Sequence, residues 1–132
     1  MSVYKTKVFA RFARKAELDD EVLLGAAAEV VAGRYEADLG GGVFKKRVAR
    51  PGAGKSGGFR TLLAFRHGSD CFFVVGFAKN EKANLSPKDL AAVHDYAAMV
   101  FAYDAKALSA AVAAGGLIEL EGDGEGSEKV GI

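Results

Sequence analysis

The chain has 132 residues, half of them hydrophobic, and 18 basic against 17 acidic side chains give a formal net charge of +1. This length supports one hydrophobic core and excludes two ordinary domains, and the single cysteine excludes an internal disulfide and argues against a cysteine-based zinc site. No apolar run reaches the roughly 18 residues of a membrane span, and the N-terminus is basic, so we expect a cytoplasmic protein. Two histidines offer little for a metal site, and we expect no metal or cofactor.

The N-terminal third predicts a strand followed by helical structure. Val3–Phe9 alternates loosely and is rich in strand-forming residues, with a helical turn over Arg11–Lys15. After Leu18 come three acidic residues, which favour a helix N-terminus, and from Val22 the apolar residues recur at helical spacing until Gly33. The glycine triplet at 40–42 then predicts a turn.

The rest of the chain predicts three strands and two helices. The strands span Val43–Arg50, Phe59–Arg66 and Cys71–Ala78, and the helices begin at Ser86 and at Ala105. Ser86 followed by Pro87 is typical of a helix start, because serine caps the N-terminus and proline fits the first turn.

This order of elements predicts an α+β fold, with a small antiparallel sheet of about four strands and the helices packed on one face. We assign residues 1–116 to a single domain. Residues 117–132 contain five acidic residues against Lys129 alone and are rich in glycine. That composition predicts a disordered acidic tail.

The positive charge is concentrated in one stretch. Seven of the 18 basic residues fall between Asp38 and Asp70, where no acidic residue occurs. Pairing of neighbouring strands would bring Lys45 or Lys46 together with Arg47, Arg60 and Lys79. Such a surface suits phosphate groups, although lysine also commonly protects solvated strand edges.

The same stretch contains a near match to a nucleotide-binding loop. Residues 49–56 differ from the pattern GxxxxGK[ST] only by alanine at the first position. A nucleotide loop needs a helix that starts at the lysine, whereas Gly57, Gly58 and a predicted strand follow here. We therefore exclude nucleotide hydrolysis and keep Lys55 as a phosphate contact.

A basic sheet surface of this kind could cleave RNA without a metal ion. Attack by the ribose 2′-hydroxyl needs positive groups on the phosphorane, an acceptor for the 2′-proton and a donor for the 5′-oxygen. Arginine suits the first role because its planar fork holds two phosphate oxygens and stays protonated.

Four segments resemble the RelE/HigB-type toxins of bacterial toxin–antitoxin pairs. They are KTKVFARFAR at 5–14, ADLGGGVFK at 37–45, RVARPGAGKSGGFR at 47–60 and VGFAKNEK at 75–82. The resemblance implies a compact α+β ribonuclease that cuts mRNA on the ribosome. It also implies inhibition by a cognate antitoxin encoded beside it, typically with a helix-turn-helix domain.

The resemblance also implies roles for individual residues. Lys55, Arg60 and Lys79 correspond to the residues that contact and polarise the scissile phosphate. The implied RNA contacts are Lys46, Arg47, Arg50 and Lys82.

One feature departs from the family pattern. Related toxins often have a tyrosine or histidine near the C-terminus for proton transfer, whereas this chain offers only His94, Tyr96 and Tyr103 on a predicted helix. The proton-transfer residue is therefore unassigned. The alternative is a non-catalytic, basic RNA- or ribosome-binding protein, such as a degenerate toxin or a phage-derived regulator.

Overall fold

The structure, a computed structural model, describes residues 1–49, 58–78 and 85–120. The described elements are, in chain order, β1 (Val3–Thr6), α1 (Lys7–Ala16), α2 (Asp20–Val31), β2 (Ala37–Asp38), β3 (Val43–Val48), β4 (Phe59–Ala64), β5 (Cys71–Ala78), α3 (Pro87–Phe101), α4 (Ala105–Ala113) and β6 (Leu117–Glu119).

The strands form one mixed sheet in the order β2-β3-β4-β5-β1-β6. β1 runs parallel to β5, and the other neighbours are antiparallel. The predicted α+β class is confirmed, but the described residues form a sheet of six strands instead of about four. The place of the N-terminal strand beside β5 and the strand after α4 are not visible in the local sequence pattern.

Helices cover both faces of the sheet, so the prediction of helices on one face was wrong. Leu63 and Phe73 pack in one core cluster with residues of α1 and α2. Their neighbours Leu62 and Phe72 pack in a second cluster with residues of α3. Because successive side chains of a strand point to opposite faces, the nearly continuous apolar runs of β4 and β5 supply both clusters.

The joint between β1 and α1 lies earlier than the sequence predicted. The strand ends at Thr6, whose hydroxyl accepts the backbone N–H of Phe9 at 3.0 Å and donates to the carbonyl of Val74 at 2.8 Å. Thr6 thus caps α1 and also fixes it to β5. The helix runs to Ala16 because Phe9, Ala13 and Ala16 recur at helical spacing and are buried.

The predicted start of α3 is confirmed. The hydroxyl of Ser86 accepts the backbone N–H of Asp89 at 3.1 Å, and Pro87 occupies the first helical position. Val93, Ala97 and Val100 form the buried stripe of this helix.

The sixth strand falls in the segment that the sequence assigned to a tail. β6 pairs with β1, and Leu120 is 2% exposed in the first core cluster. The ordered fold therefore continues past residue 116. Residues 121–132 lie outside the described residues, so the disordered tail remains a prediction.

The helices of the described part are all too short or too polar to cross a membrane.

Candidate functional site

Three side chains form a row across the three strands β3, β4 and β5, one residue from their shared end and on the face that carries α3. Arg47 on β3 lies directly opposite Arg60 on β4, and Arg60 lies directly opposite Phe77 on β5. Residues opposite each other in antiparallel strands share a face and stand about 5 Å apart at their Cβ atoms. The sheet therefore places two guanidinium groups side by side, next to an aromatic ring.

The two arginines have hydrogen-bonding capacity that the protein does not use. Both side chains are half-buried, and the Arg47 Nε and Arg60 Nη1 atoms are buried without a hydrogen-bond partner in residues 1–49, 58–78 and 85–120. Neither arginine takes part in an ion pair among the described residues. Like charges directly opposite each other destabilise a sheet. An anion that bridged both guanidinium groups would remove this repulsion and satisfy the unused donors.

The arginine row borders an apolar region beneath α3. The next row of the same face contains Lys45, Leu62 and Val75. Lys45 and Phe77 line a cavity of about 130 Å³ with Leu85 and Leu90, at the start of α3. The low-dielectric surroundings strengthen any charge interaction made by the arginines.

The predicted loop residues lie outside the described residues. Lys55 and Arg50 fall within 50–57, and Lys79 and Lys82 fall within 79–84. The described residues that flank these segments meet at the same end of the sheet, since Val48 pairs with Phe59 and Phe59 with Ala78. Lys55, Arg50, Lys79 and Lys82 therefore remain predictions.

Lys46 is not brought to this row, and its position argues against the predicted RNA contact. Its side chain points to the opposite face and is only 8% exposed. There its Nζ atom forms an ion pair with Glu29 of α2 at 2.7 Å. Because side chains alternate along β3, a site that includes Arg47 includes Lys45 and excludes Lys46.

The Glu29–Lys46 pair leads to a stability prediction. The hydrogen bond and charge of Lys46 lower the pKa of Glu29 below its ordinary value of 4.5. Replacing Glu29 with glutamine removes the charge opposite a buried ammonium group, and we expect a loss of about 1 kcal/mol, since Glu29 is partly exposed. Urea unfolding at pH 7 measures the difference.

The pH dependence provides the control. A carboxyl group with a lowered folded-state pKa stabilises the protein above its ordinary pKa, and this contribution is lost as the pH falls through the folded value. The difference between wild type and Glu29→Gln should therefore shrink below about pH 4.5. Equal stability of the two proteins at pH 7 would show that the ion pair contributes nothing.

The three candidates for proton transfer have other surroundings. The Nε2 atom of His94 lies 3.0 and 3.1 Å from the carbonyl oxygens of Leu39 and Gly40, so this nitrogen donates and holds the β2–β3 turn against α3. Tyr103 lines a polar cavity with Arg66 and Asp70 at the β4–β5 turn. Both lie at the end of the sheet remote from Arg47.

Tyr96 is the candidate on the same side as the arginine row. It lines a groove with Val75 and Phe77. Burial is the main cause of the raised pKa of Tyr96, and the nearby Tyr103 adds to it. A raised pKa keeps this phenol protonated at neutral pH, so it could donate a proton but would be a poor base.

Sequence reasoning left Lys45 and Lys46 open as alternative neighbours of the arginines and missed Phe77. The strand period of two was a sufficient signal for Lys45, because it shares the parity of Arg47 in the same strand. Phe77 had no such signal. Its place depends on the register between β4 and β5, which contains an irregularity between Leu62 and Leu63.

The described residues offer little for metal or thiol chemistry. Within 1–49, 58–78 and 85–120, histidine, cysteine and acidic side chains form no group of three that could hold a metal ion. Burial raises the pKa of the Cys71 thiol to about 12, so it is not a thiolate at neutral pH.

The fold and the arginine row together define a class, namely a small α+β protein with adjacent, positively charged side chains on its sheet. A family model described as the RelE toxin of the RelE/RelB toxin–antitoxin system matches residues 1–120. The match covers most of the chain, and the protein belongs to this family. A search of curated proteins found no match.

Proposed function

We propose that this protein is a toxin endoribonuclease that cleaves mRNA on the translating ribosome and is neutralised by a cognate antitoxin. The family match supports the toxin class. The observation that carries the proposal is the adjacent pair Arg47 and Arg60, with buried guanidinium nitrogens that no group of the described residues satisfies. A phosphodiester presents the oxygens that such a pair binds best.

In the proposed reaction the ribose 2′-oxygen attacks the adjacent phosphorus atom. The bond from phosphorus to O2′ forms and the bond to the 5′-oxygen breaks, which leaves a 2′,3′-cyclic phosphate and a 5′-hydroxyl. The 2′-hydroxyl proton goes to a base, and the leaving 5′-oxygen receives a proton from an acid.

Arg60 and Arg47 would act on the charge that develops on the phosphorane. Groups already fixed in place for the transition state need no rearrangement, which makes this kind of stabilisation effective. Both arginines are held by strand pairing, and the backbone N–H of Arg47 also donates to the Glu36 carboxylate. In this proposal Lys55 and Lys79 complete the set, and Arg50 and Lys82 contact RNA further from the cleaved bond.

The proposed partners follow from the toxin class. They are mRNA, the ribosome and an antitoxin with a helix-turn-helix domain, and the proposed location is the cytoplasm. No metal ion or nucleotide takes part in the proposed reaction.

The second candidate function is non-catalytic binding of RNA or the ribosome. Three observations favour it: His94 has a structural role, Tyr103 lies at the remote end, and Tyr96 is poorly suited as a base. Under this alternative the arginines would bind phosphate without cleavage.

Induced expression in a bacterial host distinguishes the two functions. Catalysis predicts growth arrest together with mRNA cuts at discrete positions, mapped by sequencing of 5′ ends. Arrest with intact transcripts would support the binding function, and normal growth with intact transcripts would refute the nuclease.

A further inference from the structure

We propose that the polar cavity at the β4–β5 turn binds a guanine base, which either single-stranded RNA or a free guanine nucleotide could present. The cavity lies between this turn and the C-terminal end of α3, and its volume is about 270 Å³. Arg66 in its wall lies six residues beyond Arg60, which corresponds to roughly 20 Å along an extended strand. The cavity is therefore separate from the arginine row and takes no part in the proposed cleavage.

Two opposite charges line this cavity without pairing to each other. Arg66 and Asp70 both belong to its wall. Among the described residues, neither of them takes part in an ion pair. Arg66 can therefore still donate hydrogen bonds, and Asp70 can still accept them. A ligand with an acceptor edge and a donor edge would satisfy both.

The Arg66 guanidinium is held in place by the end of α3. Its Nη2 atom donates to the carbonyl oxygen of Phe101 at 3.1 Å, and its central carbon lies 4.7 Å from the centroid of the Phe101 ring. Arginine has five N–H donors, so this hydrogen bond leaves most of them for a ligand. The planar fork of arginine matches the O6 and N7 acceptors of guanine, which it binds more often than any other base edge.

The Asp70 carboxylate supplies the complementary acceptor. Its Oδ1 atom accepts the backbone N–H of Ser2 at 3.0 Å, and an ionised carboxylate has about four acceptor sites, so capacity remains. The Watson–Crick edge of guanine carries two adjacent donors, N1–H and the 2-amino group. Adenine and cytosine each present a ring acceptor on that edge, which a carboxylate repels. The carboxylate therefore favours guanine over these two bases.

The turn itself is fixed by hydrogen bonds of Ser69. Its hydroxyl accepts the backbone N–H of Arg66 at 3.1 Å and donates to the carbonyl oxygen of Arg66 at 2.9 Å. This closes the turn between the two charged residues. Arg66 and Asp70 are thus positioned before any ligand arrives.

Flat side chains complete the cavity. His67 and Tyr103 also belong to its wall. Proteins commonly bind unpaired RNA bases by stacking them on tyrosine, histidine or arginine and by hydrogen bonds to the base edges. Ordinary ligand sites begin at about 300 Å³, so a volume near this lower limit suits a single base.

A base fits this cavity better than a phosphate group does. Arg66 is the one arginine or lysine of the wall, and the charge of Asp70 opposes it. The arginine row is the opposite case, since Arg47 and Arg60 lie side by side there. The two sites therefore differ in chemistry, one for phosphate and one for a base.

Titration calorimetry of the full chain tests the preference and its source. We expect 5′-GMP to bind at least tenfold more tightly than 5′-AMP, with 5′-IMP between them because it lacks the 2-amino donor. A 2′-O-methylated RNA oligonucleotide with one guanine is compared with the same oligonucleotide carrying adenine. A preference in either arm supports the site, and the arm that shows it identifies the source. No preference in both arms would overturn the proposal.

Variants locate the preference in the cavity. Asp70→Asn retains an acceptor for the Ser2 N–H, and Arg66→Gln removes the fork; each should reduce the preference for guanine at least tenfold. The matched controls are Asp95→Asn and Arg34→Gln, at exposed residues outside the cavity wall, and they should retain the preference. A full preference in both cavity variants would overturn the proposal. So would displacement of GMP by a zwitterionic amino acid such as glutamine.

RNA cleavage separates this inference from the proposed function. Asp70→Asn should cut a guanine-free RNA as fast as the wild type does, and Arg60→Ala should bind GMP as the wild type does. A wild type that prefers guanine but cuts no RNA would refute the nuclease and leave the base site standing. Cleavage by a wild type without any guanine preference in the two binding arms would overturn the base site alone.

Discussion

Replacing Arg60 with alanine is expected to lower the rate of RNA cleavage by about 100- to 1,000-fold, the usual effect of losing one preorganised donor to a developing oxyanion. Arg60 occupies the centre of the row, between Arg47 and Phe77, and is the arginine that both flanking strands hold in place. The fold should survive, because the change also removes the repulsion between two adjacent guanidinium groups.

Single-turnover cleavage of an RNA substrate by purified protein measures the effect. Arg34→Ala is the control, since this exposed arginine follows α2 and lies outside the sheet. Equal rates for Arg60→Ala and wild type would remove Arg60 from the reaction. Equal losses in both variants would indicate a general effect of charge instead of a specific site.

A large effect on stability is expected at Gly42, in the turn between β2 and β3. This residue has a φ of +81°, and an added Cβ would lie 2.7 Å from Cε2 of Phe101 and 3.1 Å from the carbonyl oxygen of Phe65. In Gly42→Ala the left-handed backbone should lower the free energy of unfolding by about 1 to 2 kcal/mol, and overpacking should lower it by about 1 to 3 kcal/mol more. Urea unfolding measures the sum.

Gly40→Ala separates the two contributions. Gly40 has a similar φ of +84°, but an added Cβ there would meet nothing within 4 Å. It should lose only the backbone part, about 1 to 2 kcal/mol. If the two variants were equally stable, the packing of Phe101 against the turn would not restrict position 42.

The elements with strong local signals could be predicted from the sequence. Ser86 and Pro87 define a helix start by their own chemistry, and the alternation around Phe59–Ala64 defines a strand whatever its partners. The N-terminal joint was harder, because Thr6 fits a strand as well as a helix cap. Its second hydrogen bond, to Val74, is a tertiary contact that no local pattern contains.

The site could be predicted only in part, because strand alternation and strand register carry different information. The pairing of Arg47 with Arg60 follows from a hairpin of two adjacent strands, and sequence reasoning found it. Lys46 is excluded from the site because adjacent residues of β3 point to opposite faces of the sheet. Its ion pair with Glu29 depends on where α2 packs, which no local pattern shows. The groove beside Val75 depends on β1 ending early beside β5, which is a property of the whole sheet.

The most direct test of the account is the salt dependence of binding to a 2′-O-methylated RNA oligonucleotide, which cannot react. The affinity of the wild type should fall as the salt concentration rises. A plot of log affinity against log salt concentration should have a slope of roughly −0.7 for each phosphate contact. The double variant Arg47→Ala, Arg60→Ala should bind more weakly, and its slope should be shallower by the amount expected for about two phosphate contacts. The same affinity and slope in both proteins would contradict the claim that this pair of arginines binds phosphate.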